Sequence, residues 1–198
     1  HLSVGDSTNP TTDASTLTVL ADNDAAIYSA AAGGAGAQTL AVAAGIAANV
    51  ILNTTEAYIS SSYITSTGDI YVTANDSATI DTAAGNAAGA GKVAIGASIS
   101  FNWMQATVKA YIDGGSLDST NGHVLVSSAS DGGMIALAVG GQGAGNVSVG
   151  GSVVIASVLN NIKAYADNTV ITAMGNVGVS AKDNLTLYLV AGVGGGAG

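Results

Sequence analysis

The chain has 198 residues, of which 13 are acidic and four are basic, so its formal net charge at pH 7 is −9. This balance argues against nucleic acid and anionic membranes as partners, because binding to either needs basic patches. The absence of cysteine excludes disulfides and Cys-based zinc sites, and a hydrophobic content of 48% can supply a large core.

Residues 1–16 match the rest of the chain poorly, and we interpret them as an edge or a loop. Residues 17–198 align on themselves as about three and a half copies of a unit of 53 or 54 residues, anchored by Ala57-Tyr58, Ala110-Tyr111 and Ala164-Tyr165. One extra residue falls between Tyr111 and Val126, where a loop would tolerate it. The alignment predicts a repeat protein that stops within a repeat, as a segment of a longer array would.

Each copy begins with a short strand of alternating apolar residues, such as Leu17, Val19 and Ala21. A stretch of acidic and amide residues follows and is typical of a loop; its four members are Asp22-Asn23-Asp24, Asn75-Asp76, Asp131-Gly132 and Asp183-Asn184. A second strand then places Ile27, Ile80, Met134 and Leu187 at equivalent positions.

A Gly/Ala segment comes next, and because it recurs in register it favours tight corners or close-packed extended chain over a flexible linker. The long strand Val93–Trp103 then alternates apolar odd positions, which are large except for Ala97, with Ala, Gly, Ser and Asn at the even positions. Its small even face would let another backbone layer approach closely. Beyond Trp103 the apolar residues change parity, which predicts a bulge or corner between Trp103 and Val108. A short strand around Ile64, Leu117 and Ile171 completes each repeat.

One segment, Ala30–Leu52, is long and apolar enough to suggest a membrane helix. It has a period of 2, however, whereas a helix would space its apolar residues by three and four. We therefore expect strands here and no membrane insertion.

About five strands per repeat and no helical segment predict an all-β fold, a parallel β-solenoid (right-handed β-helix) built from 53-residue repeats. Five strands fit about two coils per repeat, and three shorter coils are the alternative.

The recurring acidic residues are the best candidates for a metal site. Carboxylate oxygens are ligands that calcium prefers, and the candidates are Asp22, Asp24, Asp76, Asp131 and Asp183. The alternative interpretation is that Asp and Asn simply favour turns and discourage edge pairing. The sequence predicts no other cofactor.

Enzymatic activity is not expected. His1 and His123 are the only histidines, and His123 occupies the turn position filled by Asp69 and Asn176 in other copies, so a His-dependent triad has little to build on. Glu56 is the only glutamate and its equivalents are Lys109 and Lys163, so the carboxylate pair of a glycosidase does not recur. Tyr58, Tyr111 and Tyr165 are predicted to form a surface row, for packing or for a partner.

The run Gly89–Trp103, followed by Ala110-Tyr111-Ile112 and by Gly122-His-Val-Leu-Val, resembles repeats of large surface exoproteins of Gram-negative bacteria. It is similar to the filamentous-haemagglutinin and leukotoxin-type filamentous adhesins, from about Leu17 to the end of the chain. The resemblance implies secretion through an outer-membrane transporter and display at the cell surface as a β-helical stalk. It implies no functional residue, because such repeats share no catalytic motif.

Three hypotheses follow for the role of the chain. The first is a stalk segment of a filamentous adhesin, whose partners are neighbouring repeats and a host or bacterial surface ligand. The second is a filament or sheath subunit in which identical chains stack end to end. The third is a β-helical module that binds or cleaves polysaccharide.

Overall fold

A computed structural model describes residues 2–4 and 15–198 of the chain, and its ordered elements are all β-strands. They are β1 (Leu2–Val4), β2 (Leu17–Ala37), β3 (Leu40–Ser66), β4 (Ile70–Ala90), β5 (Val93–Ser119), β6 (Val124–Ala144), β7 (Val147–Asp167), β8 (Val170–Ala173) and β9 (Val177–Ala197). Of the predicted N-terminal edge, residues 1 and 5–14 lie outside the described residues.

All strand pairs are parallel and form two sheets. Sheet A has the order β1-β3-β5-β7, with β8 also paired to β5, and sheet B has the order β2-β4-β6-β9. Each strand pairs with its equivalent one repeat later, so that Leu17 lies beside Ile70 and Ile70 beside Val124. The predicted all-β parallel solenoid is confirmed.

Each repeat makes one coil, so the prediction of two coils per repeat is wrong. The acidic stretch is not a loop, because β2 runs without interruption through Asp22–Asp24 and β4 runs through Asn75-Asp76. Pairing with the same stretch in neighbouring coils overrides the turn preference of these residues. The Gly/Ala segment ends the same strand, as close-packed extended chain.

The extra residue of the second copy lies in a turn. The chain passes from sheet A to sheet B in three residues at 67–69 and 174–176 but in four at 120–123. These turns bond to one another: Oδ1 of Asp69 accepts the His123 N–H at 2.7 Å, and Nδ1 of His123 accepts the Asn176 N–H at 2.8 Å. His123 is a turn residue, as predicted.

The Asp69 turn should make stability depend on pH. The His123 N–H, and then the Tyr71 hydroxyl, hold the pKa of the Asp69 carboxyl below its usual value. Because the folded pKa lies below the unfolded one, this stabilisation is complete above about pH 4 and is lost as pH falls through the folded pKa.

We expect Asp69→Asn to lower stability at neutral pH and to flatten the acid limb of the unfolding profile. Urea midpoints measured from pH 6 downward test this, with the exposed Asp24→Asn as the matched control. Identical acid limbs in wild type and Asp69→Asn would contradict the expectation.

The predicted bulge between Trp103 and Val108 is wrong, because even-numbered residues of β5 face inward without a break from Ala94 to Ile112. What changes after Trp103 is side-chain size: the inward residues become large and the outward ones polar. The break in alternation comes later, at Gly114 and Gly115 with φ of 73° and 83°. In the neighbouring coils, Ser61 and Asn168 have φ of 48° and 50°. The short strand follows this break.

The interior between the two sheets therefore has two parts. One is a core of large side chains that includes Ile70, Val72, Val108, Ile112 and Leu117. In the other, the Gly/Ala segments face the first half of each sheet A strand. The buried hydrophobic residues of its two clusters are all alanines: Ala41, Ala43, Ala88 and Ala94 in one, and Ala47, Ala84 and Ala138 in the other. Such small side chains let the sheets approach more closely than the ~10 Å usual for stacked sheets.

Candidate interaction surface

The outer side of sheet A carries the most unusual surface of the molecule. In the first half of each long strand the small residues face inward, so the large apolar residues face solvent. We call this surface the apolar face and define it by thirteen side chains that are 36–67% exposed: Leu40, Val42, Ile46, Val50, Leu52, Ile95, Ile99, Phe101, Val147, Val149, Val153, Ile155 and Leu159.

The apolar face has a definite relief. The strand register aligns Ala44, Ala97 and Gly151 in one row across the sheet, which forms a groove parallel to the solenoid axis. One ridge beside it is Val42, Ile95 and Val149, and the other is Ile46, Ile99 and Val153. No charged residue lies within these three rows. Contiguous apolar patches of this kind mark interaction sites in soluble proteins.

Beyond the apolar face, the outer side of sheet A becomes polar and carries the predicted tyrosine row. The Tyr58 and Tyr111 rings stack with centroids 5.1 Å apart, and the Tyr111 and Tyr165 rings with centroids 5.0 Å apart. Burial between its neighbours raises the pKa of Tyr111, and the nearby Glu56 carboxylate adds to this effect. The row is thus confirmed, and its rings pack on one another.

The single glutamate lies beside this row in an ion pair. Nζ of Lys109 is 2.7 Å from Oε1 of Glu56, and the hydrogen bond and charge of Glu56 raise the pKa of Lys109. The two side chains are on adjacent strands at equivalent positions, so their pair crosses the boundary between two coils. The Glu56 side chain therefore helps to hold two neighbouring coils together.

The outer side of sheet B carries a shallow hollow of about 390 Å³. Tyr28, Asp81, Ile135 and Tyr188 align in one row across its four strands, and the small residues Ala30 and Ala83 form part of the lining. Tyr28, Asp81 and Ile135 line this hollow, and Tyr188 lines a smaller one beside it together with Asp81 and Ile135. An exposed tyrosine next to a carboxylate gives each hollow the mixed apolar and polar character of a surface-binding region.

The five candidate calcium ligands do not come together. Asp22, Asp24 and Asp131 face outward from sheet B, whereas Asp76 and Asp183 face the side of the interior. Ser130 separates Asp76 from Asp183 in their row. Among the described residues, no group of three or more His, Asp or Glu side chains could hold a metal ion.

Asp76 alone is buried, at 2% exposure. Its Oδ1 accepts hydrogen bonds from the side-chain amides of Asn23 at 2.6 Å and Asn53 at 3.1 Å, and Oδ2 has no partner. No lysine in the described part of the chain forms an ion pair with it. The Thr55 hydroxyl also donates to this Oδ1, at 3.5 Å. The charge of the buried carboxylate is therefore matched only by neutral donors, all on one of its two oxygens, which is a costly arrangement.

We expect Asp76→Asn to raise the free energy of unfolding by about 1–2 kcal/mol, because the amide keeps an accepting oxygen and removes the unpaired charge. Urea denaturation at neutral pH with a chelator measures this, with Asp24→Asn as the control at an exposed position. If calcium bound at Asp76, the same variant would instead lose a calcium-dependent stabilisation.

Comparison with known proteins gives no relatives for this chain: no family model, curated protein or solved structure matches it. Within residues 2–4 and 15–198, there is no helix of the length and apolar character needed to cross a membrane. The alternating segment Ala30–Leu52 forms the end of β2 and the first half of β3.

Sequence reasoning identified the small face of the long strand as the one for close packing but did not identify its large face as an exposed surface. The signal was present, since a strand with one small face and one large face can pack either of them inward. Only the packing of the Gly/Ala segments of sheet B against the small face shows that the small face is the buried one.

Proposed function

We propose that the chain is a structural stalk segment of a secreted, cell-surface filamentous adhesin and that it performs no catalysis. The observation that carries this proposal is the in-register stacking of successive coils over whole strands, from Leu17 beside Ile70 to Ala144 beside Ala197. Each added coil lengthens such a structure by about 4.8 Å without changing its cross-section. This is the geometry that a stalk requires.

Two further observations support this proposal. The ladders between coils, such as Asn23 to Asp76 and Asn184 to Asp131, use equivalent side chains to hold neighbouring coils together. Glu56 and Asp69 likewise make their contacts within and between neighbouring coils. A ligand on the host or bacterial surface would then meet the tyrosine row or the hollow of sheet B, at an extracellular location and without a cofactor.

A second candidate is a filament or sheath subunit that stacks end to end. Its support is the edge of sheet B at β9, where Val177, Val179, Leu185 and Leu187 are 42–51% exposed. Their equivalents in β6 are covered by the next coil: Val124, Val126 and Met134 are buried. A coil of the same chain or of another would bury the β9 residues in the same way.

Electron microscopy of the purified chain, with and without a calcium chelator, tests these proposals. Short particles of uniform length, unchanged by the chelator, are the result expected for a stalk segment. Long filaments with a repeat near the stacked coil height would favour end-to-end assembly instead. Particles that fray only in the chelator would support calcium binding.

A further inference from the structure

The apolar face has the size of an interaction patch. Over about 11 residues at ~3.3 Å each, on three strands ~4.8 Å apart, it measures roughly 500 Å². The largest apolar patch of an ordinary soluble monomer is about 300–600 Å², and such patches are often functional. Burying this area on two molecules would give about 1,000 Å², which a specific interface must reach.

We propose that the apolar face is a lateral interface on which a second copy of this chain packs, sheet A against sheet A. This contact lies on the side of the solenoid, so it is separate from end-to-end stacking at β9. It does not rest on the stalk function, because it follows from the surface alone.

Two rows of this relief, the groove and the ridge of Ile46, Ile99 and Val153, are complementary to each other. The groove of Ala44, Ala97 and Gly151 lies two residues, or about 7 Å, from the ridge of Ile46, Ile99 and Val153. A two-fold axis parallel to the solenoid axis and midway between these rows places the ridge of each copy in the groove of the other. An isologous contact needs this kind of self-complementarity.

Space and charge both permit the contact. A Cβ built on Gly151 meets no atom within 4 Å, so the groove is open at this position. The rows carry no charge, and face-to-face contact therefore brings no like charges together even though the chain has a net charge of −9. The same negative charge disfavours an anionic lipid surface as the cover.

The two-fold axis keeps the coils of both copies at matching heights. Every coil that carries the same groove and ridge positions would therefore contact the coil at the same height in the other copy and enlarge the interface. The interaction would bundle two solenoids side by side along their length, and longer arrays would pair more tightly than short ones.

Sedimentation equilibrium of the intact chain tests the proposal. We expect wild type to reach twice the monomer mass of 19.0 kDa at micromolar concentration. Ile99→Lys puts a charge on the ridge and Ala97→Phe fills the groove, and each should raise the dissociation constant at least about 100-fold. Thr107→Lys, on the outer side of the same strand beyond the groove and ridge rows, is the matched control and should leave dimerisation unchanged.

Thermal unfolding by circular dichroism shows whether each variant is folded. The only tryptophan of the sequence, Trp103, follows Phe101 on the outer side of β5 and supplies a second readout. Its fluorescence emission should shift to longer wavelength when wild type is diluted to protein concentrations below the dissociation constant of the dimer. Outcomes that overturn the proposal are a monomeric wild type, dimers that persist in both folded variants, or a monomer that cosediments with neutral lipid vesicles. Open-ended oligomers unaffected by the two variants would assign association to the coil ends instead.

Discussion

Replacing Gly45 with alanine should destabilise the protein by about 3 kcal/mol, a large effect for a single methyl group. Gly45 faces inward from β3, and a Cβ at this position would overlap the backbone carbonyl of Gly85 on the opposing sheet. The atoms that would have to move belong to the backbone of β4, which pairs with β2 on one side and β6 on the other. This backbone cannot shift without breaking ladder hydrogen bonds.

The matched control is Gly34→Ala. Gly34 also lies in the Gly/Ala half of the molecule, but it faces outward and an added Cβ meets no atom within 4 Å. This change should be neutral or stabilising by up to about 1 kcal/mol, since alanine loses less backbone entropy than glycine. Chemical denaturation of the two variants gives the comparison. Equal stabilities would mean that the sheets are not in close contact at Gly45.

The repeat length and alternation were sufficient to predict the parallel solenoid. Equivalent residues such as Ala57, Ala110 and Ala164 can recur at a fixed spacing only if each repeat forms the same local structure, and alternating segments without helices leave strands as that structure. The pairing of Ala57 with Ala110 and of Ala110 with Ala164 follows directly.

The size of the coil could not be predicted from local preference. Asp and Asn favour turns in isolation, so local preference predicts a loop around Asp76 and divides one strand into two. In the structure Asp76 lies within β4 and pairs on both sides with equivalent residues. Ladder hydrogen bonds to two neighbouring coils outweigh a turn preference that acts within one coil.

The orientation of the long strand was ambiguous for a different reason. Parity of apolar residues indicates the buried face only where the buried residues are larger than the exposed ones. Around Ile99 the relation is inverted, since Ser98 and Ser100 are buried while Ile99 is exposed. The apparent change of parity after Trp103 is the boundary between this inverted part and the ordinary part, where Val108 and Ile112 are buried.

Polar groups inside the inverted part should then contribute strongly to stability, because little apolar area is buried there. Asn102 is fully buried at the boundary between the two parts of the interior. Its Oδ1 accepts hydrogen bonds from the Asn49 amide at 2.8 Å and the Thr82 hydroxyl at 2.9 Å, and its Nδ2 donates to Ser100 Oγ at 3.0 Å. The network joins two coils and both sheets.

Asn102→Ala is expected to lower the free energy of unfolding by about 3 kcal/mol, since it leaves a cavity and buried partners without their hydrogen bonds. Gln105→Ala, an exposed change on the same strand, should stay within about 0.5 kcal/mol of wild type. Combining Asn102→Ala with Asn49→Ala should cost less than the sum of the single changes, because both remove the same bond. Strict additivity, or a loss below about 1 kcal/mol for Asn102→Ala, would show that the sheets are held together there by alanine packing and not by the amide network.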